Sequence, residues 1–339
     1  MMNMRTESLV ATTKRASLHD LAWNQSARIV GSKGFAGLRV KCPVCHKHGT
    51  LMSRWVEKSP VKPLHVIHTN GNGFFKPCLL DQDQAKEIRH KISFTSDDVR
   101  KTLSMGRPFV MFSGGKDSLC LLQYMAKLCK SQNKELTAIH ANTTAGFPEV
   151  EGYVRRVCKK LEVPLMVVKP PRDFFDLAKR WGIPGVRSRW CCSTLKVAPM
   201  RRYFQTIEGP KVIYDGIRAA ESSIRATYTP IWLHPTFKSI CVSPLFTWSD
   251  AKVLGYIEKH NLPESPALKY KTSAECWCGA YRKREDFEQL LGIHPEIFDK
   301  LVDVEKAQKG KYTFIYENGK HIALASLRKK TKCSVCAGE

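Results

Sequence analysis

The sequence predicts an α/β protein: a doubly wound, mostly parallel sheet preceded by a small zinc-ribbon-like module. Three observations point there. From Arg107 onward, apolar strand-like runs alternate with helical patterns. A glycine-rich turn, "SGGKDS" (113–118), separates one such strand from one such helix. Ahead of both, a Cys-x-x-Cys pair lies among short β-like runs broken by Gly, Pro and Asn turns.

Residues 1–35 read as a weakly ordered basic N-terminus. Glu7 and Asp20 argue against an organellar transit peptide, and the stretch lacks the apolar centre of a secretory signal. No run approaches the roughly 18 apolar residues of a membrane span. The expected location is therefore cytoplasmic, with no membrane partner. In a reducing compartment thirteen cysteines imply metal or redox chemistry rather than a disulfide framework. Eight of them are grouped: Cys42/Cys45, Cys191/Cys192, Cys276/Cys278 and Cys333/Cys336. Cys120, Cys129, Cys158 and Cys241 read as small buried hydrophobes.

Residues 36–82 form the zinc-ribbon-like module. Cys42-Pro-Val-Cys45 has knuckle spacing, and His65, His68 and Cys78 are the next donors. Two histidines three apart on a strand face opposite ways, so one serves; His68 lies nearer the turn and the Cys78 arm. The expected site is Cys42, Cys45, His68 and Cys78. A rival site draws on Cys333 and Cys336, at a larger cost in loop closure.

Residues 95–285 carry the alternating pattern. "RPFVMF" is a buried strand, and "DSLCLLQYMAKLCK" places Leu119, Leu122, Met125 and Ala126 at helical spacing. "LTAIHAN" precedes a helix with Pro148 in its first turn, and "PLMVVK" precedes "DFFDLAKRWG". "KVIYDGI" follows a helix around Leu195 to Phe204, and "SICVSPLF" leads to a helix capped by Ser249. Residues 286–339 are a helical, basic C-terminal extension with a Cys-x-x-Cys. The formal net charge is +24. Residues 1–105 hold 17 Lys and Arg against 8 Asp and Glu, a net of +9, so the charge is spread along the chain. It suits RNA, DNA or a highly phosphorylated small substrate, or else a generally basic solvated surface.

Glycines that admit an anion, the N–H groups of a helix start and Lys116 together make a phosphate or pyrophosphate cradle of Ser113, Gly114, Gly115, Lys116, Asp117 and Ser118. The spacing is neither G-x-x-x-x-G-K-[ST] nor G-x-G-x-x-G. It resembles the pyrophosphate loop of the ATP-pyrophosphatase, or adenine nucleotide alpha-hydrolase, superfamily. "ANTTAGFPEV" (141–150), "RSRWCCSTLKVAPM" (187–200), "DGIRAAESSIR" (215–225) and "PLFTWSDAKVLGYIEKHNLPESPALKY" (244–270) narrow the resemblance. They point to the phosphoadenosine-phosphosulfate and adenosine-phosphosulfate reductases, over about 107 to 280.

That resemblance implies a 4Fe-4S cluster on Cys191, Cys192, Cys276 and Cys278, although "ECWCG" has one residue between the later cysteines where the family usually has two. A zinc site or a catalytic dithiol is the alternative. Lys196, one helical turn after Cys192, adds positive charge beside cluster and substrate. Arg187, Arg189, Arg218 and Arg225 supply forked donors for phosphate or sulfate oxygens, with Arg218 and Arg225 nearest the nucleotide.

Two mechanisms follow. In the first, a thiolate attacks the sulfur of a sulfonucleotide, the adenine nucleotide leaves, and a thiol donor such as thioredoxin releases sulfite. The tail "TKCSVCAGE" offers Cys336 and then Cys333 as the catalytic thiol, beside Lys329, Lys330 and Lys332, but lacks the reductases' Cys-Gly-Leu-His ending. In the second, the loop binds ATP and activates tRNA or DNA for sulfur transfer, as in the superfamily's tRNA thiolases and DNA phosphorothioation enzymes. A third possibility is a nucleic-acid binder that senses nucleotide or redox state. The first is the expected activity.

Overall fold

The computed structural model describes residues 27–330 apart from 31–34, 54–63, 70–74, 82, 85–93, 187, 223–224, 226–227, 235, 267–275 and 310. Cys333 and Cys336, and with them the rival metal site, lie outside the described residues, as does Arg187. Two compact units are built from interleaved segments: Met1–Ile139, Arg155–Met166 and Gln205–Glu264 form the first, and His140–Val154, Val167–Phe204 and Ser265–Glu339 the second.

An antiparallel five-stranded sheet opens the chain, ordered β1 (Ala27–Val30), β2 (Phe35–Lys41), β3 (His48–Ser53), β4 (Leu64–Thr69) and β5 (Phe75–Leu79). Among the described residues the sheet starts at Ala27, which pairs with Leu38 of β2. Successive strands are neighbours, as short hairpin connections require.

The central sheet is mostly parallel, with flanking helices. It contains β6 (Arg107–Met111), β7 (Thr137–Ala141), β8 (Leu165–Val168), β9 (Lys211–Tyr214), β10 (Ile231–His234) and β11 (Ser239–Val242), in the order β10-β11-β9-β6-β7-β8. Only the edge strand β10 is antiparallel to its neighbour among the described pairs. Apolar runs explain the parallel strands: Phe109, Val110, Val212, Ile213 and Tyr214 are all essentially buried, as strands covered on both faces must be.

The strand order decides where a ligand can sit. After β6 the chain adds β7 and β8 on one side, then returns to place β9 on the other. The reversal opens a crevice at the carboxyl ends of β6 and β9, the switch point where such sheets take ligands. Gly106 fixes the approach of these strands, since a Cβ there would lie 2.5 Å from Pro210 O. The helix Lys116–Ser131 follows β6 and buries Leu119, Leu122 and Met125. Ser249 caps the helix Asp250–Lys259, its hydroxyl accepting from Lys252 N.

In the second unit the described α-helices are Pro148–Lys160, which straddles the division, Phe174–Trp181, Ala198–Gln205, Arg284–Ile293, Pro295–Ala307 and the short Leu327–Lys330. The segment Cys192–Val197 is a π-helix leading into Ala198–Gln205. It replaces the regular helical turn expected between Cys192 and Lys196, and wider turns of this kind occur mostly as single insertions at functional sites. A hairpin, β12 (Ile315–Glu317) and β13 (Lys320–Ile322), closes on Asn318 and Gly319 with φ of 50° and 76°. Both left-handed positions match the type I′ turn favoured by Asn-Gly. No described helix is long and apolar enough to cross a membrane.

Candidate nucleotide and metal sites

The first site grows from the β6 carboxyl end. Gly114 has φ of 92°, a conformation that a side chain would strain. Ser118 donates its hydroxyl hydrogen to Gly115 O at 2.9 Å and accepts from Ser113 Oγ at 3.0 Å and Ser113 N at 3.3 Å. The two serines thus lace the turn shut from within. The first N–H groups of the helix, from Lys116 on, have no acceptor within the helix, which makes the helix start an anion seat.

The neighbouring strand supplies the support. Asp215, just after β9, accepts from Ile217 N at 3.1 Å and from Ser243 Oγ at 2.6 Å. These bonds hold the turn to Arg218 against the loop: a Cβ on Gly216 would come within 3.3 Å of the Asp117 backbone. Burial pushes the Asp215 carboxyl up to about 6, against the pull of the Ser243 hydroxyl and the Ile217 N–H. Arg218 is only 1% exposed. Its Nε donates to Asp117 Oδ1 at 2.6 Å, its Nη2 to Asp250 Oδ1 at 2.8 Å and its Nη1 to Trp248 O at 3.2 Å. The fork expected to reach for a phosphate is therefore engaged in bracing the loop.

Lys116 Nζ lies 3.0 Å from Asp250 Oδ1 and 3.2 Å from Asp117 Oδ2. Lys116 and then Arg218 hold the Asp250 carboxyl below its ordinary value. Two cations and two carboxylates make this mouth close to neutral, with Lys116 the less buried cation. Arg225 is paired to Glu221, four residues earlier.

The second site lies in the second unit. Cys191, Cys192, Cys276 and Cys278 are brought together: Cys191 is hydrogen-bonded with Cys192 and Cys278, and Cys276 with Cys278. The single residue between the later cysteines does not prevent their convergence. Thiol hydrogens from Cys191 and Cys276, with Arg282 nearby, hold Cys278 well below an ordinary thiol; the Cys191 hydrogen bond, Arg189 and Lys196 act in the same direction on Cys192. Cys191 is pushed up by its bonds to the other thiols and by burial, and Cys276 by its bond to Cys278 and by burial. Trp277 is buried between the later pair, stacks on Phe147 and carries Arg282 4.1 Å over its ring. Its Nε1 is the one buried side-chain nitrogen or oxygen without a partner among the described residues. Four sulfur donors, a cation alongside and an unsatisfied N–H fit an anionic iron–sulfur group. Next to Cys278, Gly279 has φ of 84° and a Cβ there would run into the Phe314 ring. Arg189 is exposed, 5.7 Å over the Tyr281 ring.

The third site is in the N-terminal sheet. The ligand atoms of Cys42, Cys45, His68 and Cys78 lie within 4.8 Å of one another. The β4–β5 register pairs Val66 with Cys78, so His68, two residues along, shares a face with Cys78. A left-handed His46, φ 58°, turns the knuckle, with His46 N donating to Cys42 O. His68 Nδ1–H donates to His48 O at 3.1 Å, leaving Nε2 toward Cys45 Sγ at 3.2 Å. A backbone carbonyl fixing the histidine tautomer in this way is the usual outer support of a zinc ligand. Burial raises the Cys78 thiol to about 11, whereas hydrogen bonding to the Lys47 backbone lowers Cys45.

Sequence reasoning did not single out Asp215, Asp250, Ser243 or Trp277. Asp250 had a signal, being the first residue of a helix capped beside the sheet mouth. The pairing of Arg218 with Asp117 and Asp250 had none, because these residues are 101 and 32 positions away.

Comparison with known proteins bears on the central part of the chain. The phosphoadenosine phosphosulfate reductase domain family matches residues 107–272. An uncharacterized protein of Methanocaldococcus jannaschii is 27% identical over 197 residues, covering 58% of this chain and 46% of its own. The adenosine 5'-phosphosulfate reductase of Lysinibacillus sphaericus is 26% identical over 157 residues, covering 45% of this chain and 64% of its own. The chain thus spans less than two thirds of these curated relatives. The crystal structure of phosphoadenylyl-sulfate reductase from Candida auris, a phosphate complex, aligns with a TM-score of 0.44 and 20% identity, over 58% of this chain and 96% of that one. Residues 107–272, just under half of the chain, thus match the phosphoadenosine phosphosulfate reductase domain family and resemble adenosine and phosphoadenosine phosphosulfate reductases.

Proposed function

We propose that the protein is an adenine-nucleotide-dependent enzyme of sulfur metabolism that releases sulfite reductively from adenosine phosphosulfate or phosphoadenosine phosphosulfate. The observation that carries the reading is the loop Ser113–Ser118, laced by its serines and braced from β9 by Arg218, in a chain that matches this family. Lys116 and the helix N–H groups bind the anionic end of the nucleotide. Asp250 holds Lys116 in place until the anion arrives. Arg225 is a further forked donor for the phosphate or sulfate oxygens of the nucleotide.

The attacking group is the Cys336 thiolate. It forms an S–S bond to the sulfate sulfur as the bond from that sulfur to the bridging phosphate oxygen breaks, and the nucleotide leaves with the electron pair. A second thiolate, from Cys333 or a thioredoxin-type donor, then attacks Cys336 Sγ; a disulfide forms and sulfite departs. A dithiol donor resets the enzyme by reducing that disulfide. Cys191, Cys192, Cys276 and Cys278 would hold a 4Fe-4S cluster, with Lys196 as a positive neighbour. When bound, that group supplies a polarising, redox-tunable charge centre. Cys42, Cys45, His68 and Cys78 would hold a structural Zn²⁺.

A second reading, ATP-dependent sulfur transfer to tRNA or DNA, is favoured by the +24 net charge and by a four-donor module outside the matched residues. One experiment separates the two. The protein is purified anaerobically, iron, sulfide and zinc are quantified, and the two sulfonucleotides and ATP plus tRNA are tested in parallel. Sulfite from either sulfonucleotide is expected. ATP cleavage that depends on RNA, without sulfite, would replace this reading with the second.

A further inference from the structure

The hairpin β12–β13 shows more aromatic surface than packing asks of it. Ile315 pairs with Ile322, Tyr316 with His321 and Glu317 with Lys320. Ile315 is buried, while Tyr316 on the other face is 64% exposed. Tyr312, just before the hairpin, is 48% exposed. Both tyrosines lean on one imidazole: the ring centroids of Tyr316 and His321 are 4.9 Å apart, and those of Tyr312 and His321 6.2 Å. That imidazole is fixed, since Thr313 Oγ1 gives its hydrogen to Ile315 O and so accepts from His321 Nδ1–H at 3.1 Å.

The hairpin itself is held rigidly. Glu305, buried in the helix Pro295–Ala307, accepts from Phe314 N at 2.9 Å and Leu324 N at 2.7 Å, so one carboxylate ties both ends of the turn unit. Gln308 donates to Ala178 O at 3.2 Å and Lys179 O at 3.3 Å, which ties the end of the helix Pro295–Ala307 to the end of the helix Phe174–Trp181.

Charge accompanies the rings. Lys309, Lys311 and Lys320 are exposed, with Lys311 Nζ 5.4 Å over the Tyr312 ring. The two acids of this stretch are engaged, Glu305 as above and Glu317 by Arg284 at 2.8 Å. Rigid, separated π-faces interleaved with lysines suit a strand whose bases are unpaired and whose backbone is anionic. A lipid surface would call for a continuous apolar patch, and an acidic peptide would leave the exposed rings unused.

We propose that Tyr312, Tyr316 and His321, flanked by Lys309, Lys311 and Lys320, form a stacking platform for the unpaired bases of a single-stranded nucleic acid. The platform lies outside the nucleotide loop and does not depend on the sulfonucleotide reading.

The test is fluorescence anisotropy with the anaerobically purified full-length protein and a labelled 12-nucleotide oligouridylate, its DNA counterpart and a blunt duplex, across a salt series. Single strands bind, and log K falls with log salt with a slope near −2, about 0.7 for each of the three lysines. Tyr312→Ala and Tyr316→Ala each weaken binding by about 5- to 100-fold, whereas Tyr316→Phe retains it. Lys309→Glu with Lys311→Glu flattens the salt slope. Unchanged affinity in the double tyrosine variant, equal affinity for the duplex, or equally effective competition by polyglutamate would each overturn the proposal. Sulfite release by the tyrosine variants without oligonucleotide stays at the parent level, so a binding failure is separable from a failure of the sulfonucleotide reading.

Discussion

Asp215 offers a sharp test of how the nucleotide mouth is held. Its carboxylate receives two hydrogen bonds, from Ile217 N and Ser243 Oγ, yet burial moves it from 3.8 to about 6. The folded protein therefore keeps this proton to higher pH than the unfolded chain. Between roughly pH 4 and 6 the unfolded state ionises first, and stability falls as pH rises. The full displacement corresponds to about 3 kcal/mol at neutral pH. Asp215 retains some contact with solvent, which lowers the effect toward about 1–2 kcal/mol. Asp215→Asn keeps an oxygen acceptor for both donors and removes the charge. Any fixed cost of the amide is the same at every pH, so the pH dependence isolates the ionisation. Relative to the parent, the variant should gain about 1–3 kcal/mol between pH 4 and pH 7.5, measured by urea unfolding followed by tryptophan fluorescence. A difference that is flat across pH, or that moves the other way, would refute the assignment of Asp215 as a carboxylate ionised at a cost to hold the turn.

Three further outcomes are expected. Lys116→Ala should abolish turnover and weaken nucleotide binding by about 10- to 100-fold with the melting temperature nearly unchanged, since a loop lysine serves the anion and not the core; calorimetric titration with nucleotide checks it, and parent-level affinity would remove the loop from the site. Cys192→Ser should bleach the brown absorbance near ~400 nm of anaerobically purified protein; persistence of the colour would take Cys192 out of the ligand set. Cys42→Ser should lose bound zinc by metal analysis and lower the melting temperature of the N-terminal sheet, because a structural metal supplies folding energy; equal zinc in parent and variant would show that the four donors do not hold it.

Much of the architecture could be read from local pattern. The loop was legible because a helix start, two glycines and a lysine occupy six consecutive residues, and the strands because each is a short apolar run. The two-residue period of a strand left one of His65 and His68 as ligand, and nearness to the turn and the Cys78 arm chose His68, which the β4–β5 register places on the Cys78 face. What escaped was long-range or geometrically unusual. The carboxylates that hold Arg218 come from distant segments, so the fork intended for a phosphate turned out to be a brace. The π-helix at Cys192 has no signature in residue type. The hairpin at Asn318-Gly319 did have one, "ENGK", but the many lysines around it suggested only a solvated helical tail.

The Phe314 ring lying against Gly279 has a consequence for manufacture. The cysteine-bearing unit is assembled from three separated segments, and Phe314, which lies against Gly279 and is tied to Glu305, comes late in the chain. A nascent chain leaves the ribosome amino end first, so the strands and loop of the nucleotide site are complete while the enclosure around Cys278 is still missing. Insertion of the proposed cluster would then be a late step in maturation. A chain terminated before Phe314 would keep its pyrophosphate loop and should emerge without iron.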